Sequence, residues 1–267
     1  MNSKALDGYW SEISSNWQKA SHGKPDAVHA VRVNSRRLVA ALEILEKISR
    51  DPSIPRLRRR FRKLIRELGR LRDVQVQISL TETLEHPAAL RKFRRDLRRR
   101  EQDEVERARH VLDRSALKKL SKEWAGAGIE SIVEKQRKAA VQKRVRKLLR
   151  ARSGRLRAAY REMDAGDMET VHALRIAIKK LRYMRENFEA LLGIRSRLKT
   201  SDLQRRQTQL GAIRDLELVR TAMMHRPDSK RLRPATGTLR ARVRAGLRAL
   251  EEEWPRAVRP AATATIS

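Results

Sequence analysis

The sequence contains no cysteine, so neither a disulfide nor a thiolate metal site is available to it. Aromatic residues are only 4% of its 267 positions, too few for a platform on which nucleic-acid bases stack. No apolar run is long enough to span a bilayer, and nothing resembling a signal peptide opens the chain. Those two absences set the expectation of a cytoplasmic protein with no membrane partner. No stretch alternates as a half-buried strand does. A Gly-x-x-x-x-Gly-Lys-Ser/Thr phosphate loop is missing, and so is a His-Glu-x-x-His zinc motif. Acid is scarce: 32 Asp and Glu stand against 64 Lys and Arg, a formal net charge of +32. Charge of one sign at that density repels itself as the chain compacts, which points to a polyanionic partner. The length allows a sizeable core and one or two domains.

What is present is a repetition. Val28 to Ala40 reads Val-His-Ala-Val-Arg-Val-Asn-Ser-Arg-Arg-Leu-Val-Ala. Val171 to Tyr183 reads Val-His-Ala-Leu-Arg-Ile-Ala-Ile-Lys-Lys-Leu-Arg-Tyr, 143 residues later and without a gap. His29 thus matches His172, Arg32 matches Arg175, Arg36 matches Lys179 and Arg37 matches Lys180. Neither copy contains Gly or Pro, and both are rich in helix formers, so each is expected to be helical. At about 100° per residue, His29, Arg32 and Arg36 fall in one narrow stripe, as do His172, Arg175 and Lys179. Arg182 joins the second stripe, where the first copy has Val39. Arg37 and Lys180 lie about 80° to one side. Val31, Leu38, Leu42 and Leu45 face the other way, as do Leu174, Leu181, Phe188 and Leu192. A charge stripe by itself describes any solvated helix face. A solvated face does not require a His at one place, nor the same order of His, Arg and basic pair in both halves.

A second motif follows each copy. Leu68-Gly69-Arg70-Leu71-Arg72-Asp73 recurs 142 residues later as Leu210-Gly211-Ala212-Ile213-Arg214-Asp215. Its glycines suit a kink or a close helix approach. Its aspartates suit a cap on a following helix, or a pair with a neighbouring Arg, better than ligand contact. Arg72 and Arg214 are candidates for either role.

Breaks at 22–26 and 51–55 are set by Gly23, Pro25, Pro52 and Pro55. They delimit helices at about 4–21 and 26–48. Further helices are expected from 56 through 68 and on to about 85, then 88–120 and 129–163. The His172 helix is closed by Gly193. The last helices are expected from 198 to about 224 and from 232 to 254. Gly126-Ala127-Gly128 is the candidate boundary between residues 1–125 and 126–254, two halves of five helices each related by an approximate twofold. The short loops favour antiparallel bundles. The tail 255–267, rich in Ala, Thr and Pro, reads as disordered.

The two motifs, repeated in order, resemble the CHAD family, the conserved histidine α-helical domains, over nearly the whole chain. The resemblance implies an all-α fold of two pseudo-symmetric helical bundles around a basic central cavity. It also implies binding of inorganic polyphosphate and association with polyphosphate granules. His29, Arg32, Arg36 and Arg37 are then expected to line that cavity opposite His172, Arg175, Lys179 and Lys180, with Arg182 at a basic family position. Arg72 and Arg214 are expected to add to the site. The chemistry agrees, because a chain of phosphates has no bases to read and calls for dense positive charge with hydrogen-bond donors.

Some family members carry a triphosphatase domain with a Glu-x-Glu-x-Lys motif. The nearest string here is Glu104-Val105-Glu106, followed by Arg107-Ala108, so the Lys is missing. No cofactor, metal or catalytic residue is therefore expected. Nucleic acid is the stronger rival partner, bound weakly and without sequence preference. A third reading has the Arg94 to Arg100 run coat a polyphosphate body.

Overall fold

A computed structural model describes residues 4–134, 138–192 and 200–257. Among the described residues it contains ten α-helices, one 3-10 turn and no strand. The helices are α1 (Lys4–Ser21), α2 (Pro25–Ile48), α3 (Ser53–Glu82), α4 (Pro87–Val111) and α5 (Arg114–Gly126). They continue as α6 (Ile129–Glu134), α7 (Lys138–Arg161), α8 (Met168–Leu192), α9 (Thr200–Met224) and α10 (Arg233–Ala257), with the 3-10 turn at Ser229–Leu232.

Several boundaries differ from those the sequence suggests, each for a local reason. α3 begins at Ser53, because the Ser53 N–H donates to Asp51 Oδ1 (2.8 Å) and Pro55 falls in the first turn, where a missing N–H costs nothing. The Leu-Gly-x-x-Arg-Asp motifs lie inside α3 and α9, so neither Asp73 nor Asp215 caps a helix. The helix expected over 88–120 is two. Asp113 caps α5 by accepting from the Ala116 N–H (2.6 Å). The helix expected over 129–163 is represented by α6 and α7, with 135–137 outside the described residues. Gly193 also lies outside them, as does the tail from 258. α10 runs to Ala257, three residues past its expected end at Trp254.

The helices gather into two compact units that are discontinuous in sequence. Of the described residues, the first takes 4–73, 101–134, 138–155 and 180–192, and the second takes 74–100, 156–179 and 200–257. The expected boundary at Gly126–Gly128 falls inside the first unit. Helix length explains the difference. α3, with 30 residues, is about 45 Å long, more than one small core can cover, and α3, α4, α7 and α8 each give one end to each unit.

In the first unit, Leu6, Ile13 and Trp17 of α1 are buried with Val31, Leu38, Leu42 and Leu45 of α2 and with Leu57 and Phe61 of α3. Trp10 stacks on Trp124 of α5 (centroids 5.7 Å apart, 19° between planes), and Phe61 meets both rings edge-on. The Trp17 indole donates to the Leu112 carbonyl (2.9 Å), tying α1 to the end of α4. Gly23 is required: its φ is +74°, and a Cβ there would lie 2.3 Å from Val105 Cγ2.

The second unit has two apolar clusters. One joins Leu90, Phe93 and Leu97 of α4 to Val219 and Met223 of α9 and Leu239 of α10. The other joins Val171, Leu174 and Ile178 of α8 to Leu210 and Ile213 of α9 and Val243 and Leu247 of α10. Fully burying one such side chain contributes about 1.5–3 kcal/mol. These are the residues opposite the cationic stripe of α8, so packing of the apolar back fixes which way the stripe faces.

Candidate functional site

In the first unit, α2 and α3 build a basic cluster from both repeated motifs. α2 starts at Pro25, and its stripe carries His29, Arg32 and Arg36. Arg32 is only 8% exposed, and its Nη1 donates to the Ile65 carbonyl of α3 (3.0 Å). Gly69 stands one helical turn beyond Ile65. A Cβ on it would sit 3.0 Å from Arg32 Nη1, so the missing side chain is what lets the guanidinium reach that carbonyl. Burial, then Arg36, lowers the Arg32 pKa to about 10, with Arg72 adding to the fall and Asp73 and Tyr183 opposing it. The guanidinium is still charged at neutral pH.

His29 keeps solvent access, yet partial desolvation pushes its pKa below the ordinary value. Arg72 is the strongest charge acting on it in the same direction, followed by Arg36 and Arg32, and Asp26 opposes them. Arg36 and Arg72 are both half-buried. Four predicted residues from two separate motifs therefore share one cluster.

The second unit repeats the arrangement with α8 and α9. Asp167 opens α8 by accepting from the Glu169 N–H (2.9 Å). His172, Arg175 and Lys179 follow on one face, all half-buried. The His172 pKa is lowered, first by desolvation, then by Arg214, Arg175 and Lys179, against Glu169. Gly211 again faces the Arg of the first motif: a Cβ there would lie 3.7 Å from Arg175 Nε and Nη2. Each glycine thus faces an arginine side chain, and both lie inside continuous helices.

Three predicted residues stand apart from these clusters. Arg37 lies over the Tyr9 ring (5.3 Å), donates to Asn34 Oδ1 (3.1 Å) and approaches Glu186 Oε2 (Nε, 3.6 Å). Arg182 is 5% exposed, donates to Glu186 Oε1 (2.6 Å) and lies 4.4 Å from the centre of the Tyr183 ring. Both guanidiniums thus share the Glu186 carboxylate. Asn187 reinforces that corner by donating to the carbonyls of Arg37 (3.0 Å) and Tyr183 (2.7 Å). Lys180 belongs to the first unit and is exposed. Glu186 was missed in the sequence, although it stands four residues after Arg182, the spacing at which helical ion pairs form.

Tyr9, Trp10, Trp17, Phe61, Phe93, Trp124, Tyr160, Tyr183 and Phe188 are each buried or half-buried. Among the described residues, no group of three His, Asp or Glu is placed to hold a metal ion. No described helix is long and apolar enough to cross a membrane.

Comparison with known proteins adds three findings. A family model described as a CHAD domain matches residues 4–224. Among solved structures, the CHAD domain from the plant Ricinus communis is similar, with a TM-score of 0.68 and 25% sequence identity, covering 92% of this chain and 89% of that one. Among curated proteins, none matches.

Proposed function

Because the chain belongs to the CHAD family, we propose that it binds inorganic polyphosphate through its two repeated basic clusters and does not process it. The observation that carries the reading is the convergence of two motifs on one histidine, twice. Arg72 leads the charges acting on His29, and Arg214 leads those acting on His172. Clusters of cations held together by buried apolar backs gain from a ligand that neutralises them. Arg presents a planar fork to phosphate oxygens and Lys a point charge. Each cluster can engage a stretch of a flexible phosphate chain. The role that follows is attachment to cytoplasmic polyphosphate granules.

The net charge of +32 favours one rival, sequence-indifferent binding of nucleic acid. The test is a titration with long-chain polyphosphate, duplex DNA and single-stranded RNA at two salt concentrations. Arg36→Glu with Arg72→Glu reverses the first cluster, and Lys179→Glu with Arg214→Glu reverses the second. These residues are half-buried, so the reversals read binding; Arg32 is unsuitable because it is packed against α3. Each pair is expected to lower polyphosphate affinity about 100-fold or more, equivalent to about 2.7 kcal/mol. Polyphosphate should also outcompete both nucleic acids and hold at the higher salt. Equal binding of all three polymers, lost with salt and indifferent to the variants, would replace the reading with its rival. Orthophosphate release in proportion to protein would overturn its non-catalytic part.

A further inference from the structure

A basic concavity lies in the second unit, lined by residues outside both repeated motifs. It has a volume of 530 Å³ and is walled by the end of α9, the 3-10 turn and the start of α10. Four cations line it, Arg220, Lys230, Arg233 and Arg240; of these Arg220 is paired with Glu217, and Lys230, Arg233 and Arg240 are exposed. Ser229 adds a hydroxyl. Met224 and Gly237 are exposed as well, so the concavity is an open one that a ligand can enter from solvent.

Two details suggest a binding site in place of a chance gathering of charge. The first is the state of Arg220. Glu217 holds it from behind in a two-pronged pair, accepting from Nε (2.7 Å) and Nη2 (2.6 Å). That leaves Nη1 beside the Met224 thioether, a weak acceptor that an anionic oxygen would readily replace. The guanidinium is thereby oriented before any ligand arrives.

The second detail is Gly237. It lines the cavity inside α10, and nothing lies within 4 Å of where its Cβ would be. Packing therefore does not ask for glycine there, and an interior helical glycine costs about 0.5–1 kcal/mol relative to alanine. An unobstructed wall is what the glycine supplies.

We propose that this cavity is a separate site for a compact anion of two or three linked phosphoryl groups, either free or carried on a nucleoside. Three of its cations, Lys230, Arg233 and Arg240, lie beyond the residues matched by the family model. The site thus lies largely beyond the family-model match, on the C-terminal helices.

The experiment is calorimetric titration of the full chain at physiological ionic strength with tripolyphosphate, ATP and citrate. Three variants accompany the wild type: Lys230→Glu with Arg240→Glu, Gly237→Leu, and Arg36→Glu with Arg72→Glu. Gly237→Leu keeps every charge, fills the cavity and improves helix propensity, so it separates a shaped site from general attraction. The cavity charge reversal and Gly237→Leu should each weaken tripolyphosphate binding at least tenfold, while the Arg36, Arg72 variant, in the other unit, retains this binding event. ATP binding of equal or greater strength, with the same dependence on the cavity variants, assigns the nucleoside-carried source. ATP binding much weaker than tripolyphosphate assigns the free one. Citrate binding as tight as tripolyphosphate overturns the phosphoryl assignment. Tripolyphosphate binding unchanged by Gly237→Leu, or absent from the wild type, overturns the site. Circular dichroism on each variant verifies that the helices remain.

Discussion

Arg32 and Arg175 hold the same position in their motifs, yet the first is buried and the second only half-buried. Arg32 is spent on the fold: it donates to a carbonyl of α3 and presses on Gly69 with no slack. Arg175 stands 0.7 Å farther from its glycine's Cβ position, 3.7 against 3.0 Å. The flanking basic residues diverge as well. Arg37 is engaged by Glu186, whereas its counterpart Lys180 is exposed. Repetition in sequence therefore preserves which residues meet and not how tightly they are held. The two arginines differ in burial and in the room left between them and the glycine.

The sharpest way to break this comparison is to reverse both arginines. Arg32→Glu would press a carboxylate, largely shielded from water, towards the Ile65 carbonyl, a loss expected to exceed about 3 kcal/mol. Arg175→Glu keeps solvent access and should cost about 1 kcal/mol or less. Urea unfolding of both variants measures the difference, and equal losses would erase the distinction between tight and loose copies. Next in size is Glu186→Ala. It leaves the Arg37 and Arg182 guanidiniums without their shared carboxylate and should cost about 1–3 kcal/mol. Polyphosphate affinity should not fall in that variant, because those two arginines serve the fold. A loss of affinity with unchanged stability would return them to the binding site.

The two glycines predict changes of opposite sign. At Gly69 an added methyl would meet Arg32 Nη1 at 3.0 Å, closer than ordinary contact. Gly69→Ala is expected to cost about 1 kcal/mol, the lower end of overpacking. At Gly211 the same methyl finds ordinary contact at 3.7 Å. Gly211→Ala should be neutral or stabilise by up to about 1 kcal/mol through helix propensity. Thermal unfolding of the pair decides, and a shared sign would mean that the glycines serve something other than room for an arginine.

The all-α class and the pairing of His29 with Arg32 and Arg36 were legible because helical period and repetition are local signals. That Arg72 and Arg214 join the histidines was visible only as a recurrence, since a sequence does not state which face of α3 or α9 meets α2 or α8. The role of Asp73 was half legible: its charge supports Arg32, but it caps nothing, because α3 continues through the motif. Arg182 illustrates the limit. Helical period sets it in line with His172, but its guanidinium donates to Glu186 one turn away. The compact units escaped the sequence for a similar reason, because helices longer than one core serve two.

The smallest effect, and the one that tests both clusters at once, is the pH dependence set by the histidines. Both pKa values are depressed, by desolvation first and then by Arg72 for His29 and Arg214 for His172, with Asp26 and Glu169 opposing. A depressed histidine binds fewer protons in the folded chain than in the unfolded one. Stability from this source is therefore complete above the ordinary value of about 6.5 and declines as pH falls towards the folded pKa values. A bound polyanion acts in the opposite sense. It offsets the neighbouring cations, raises both pKa values and so takes up protons on binding. Affinity for polyphosphate should accordingly rise as pH falls through the same window in which stability falls. His29→Gln and His172→Gln should each remove part of that rise, and the double variant nearly all of it, leaving only the trend common to any polyanion on a basic surface. Wild-type affinity that is equal at about pH 6 and about pH 8 would take the histidine charge out of recognition and leave the arginines and lysines to carry it.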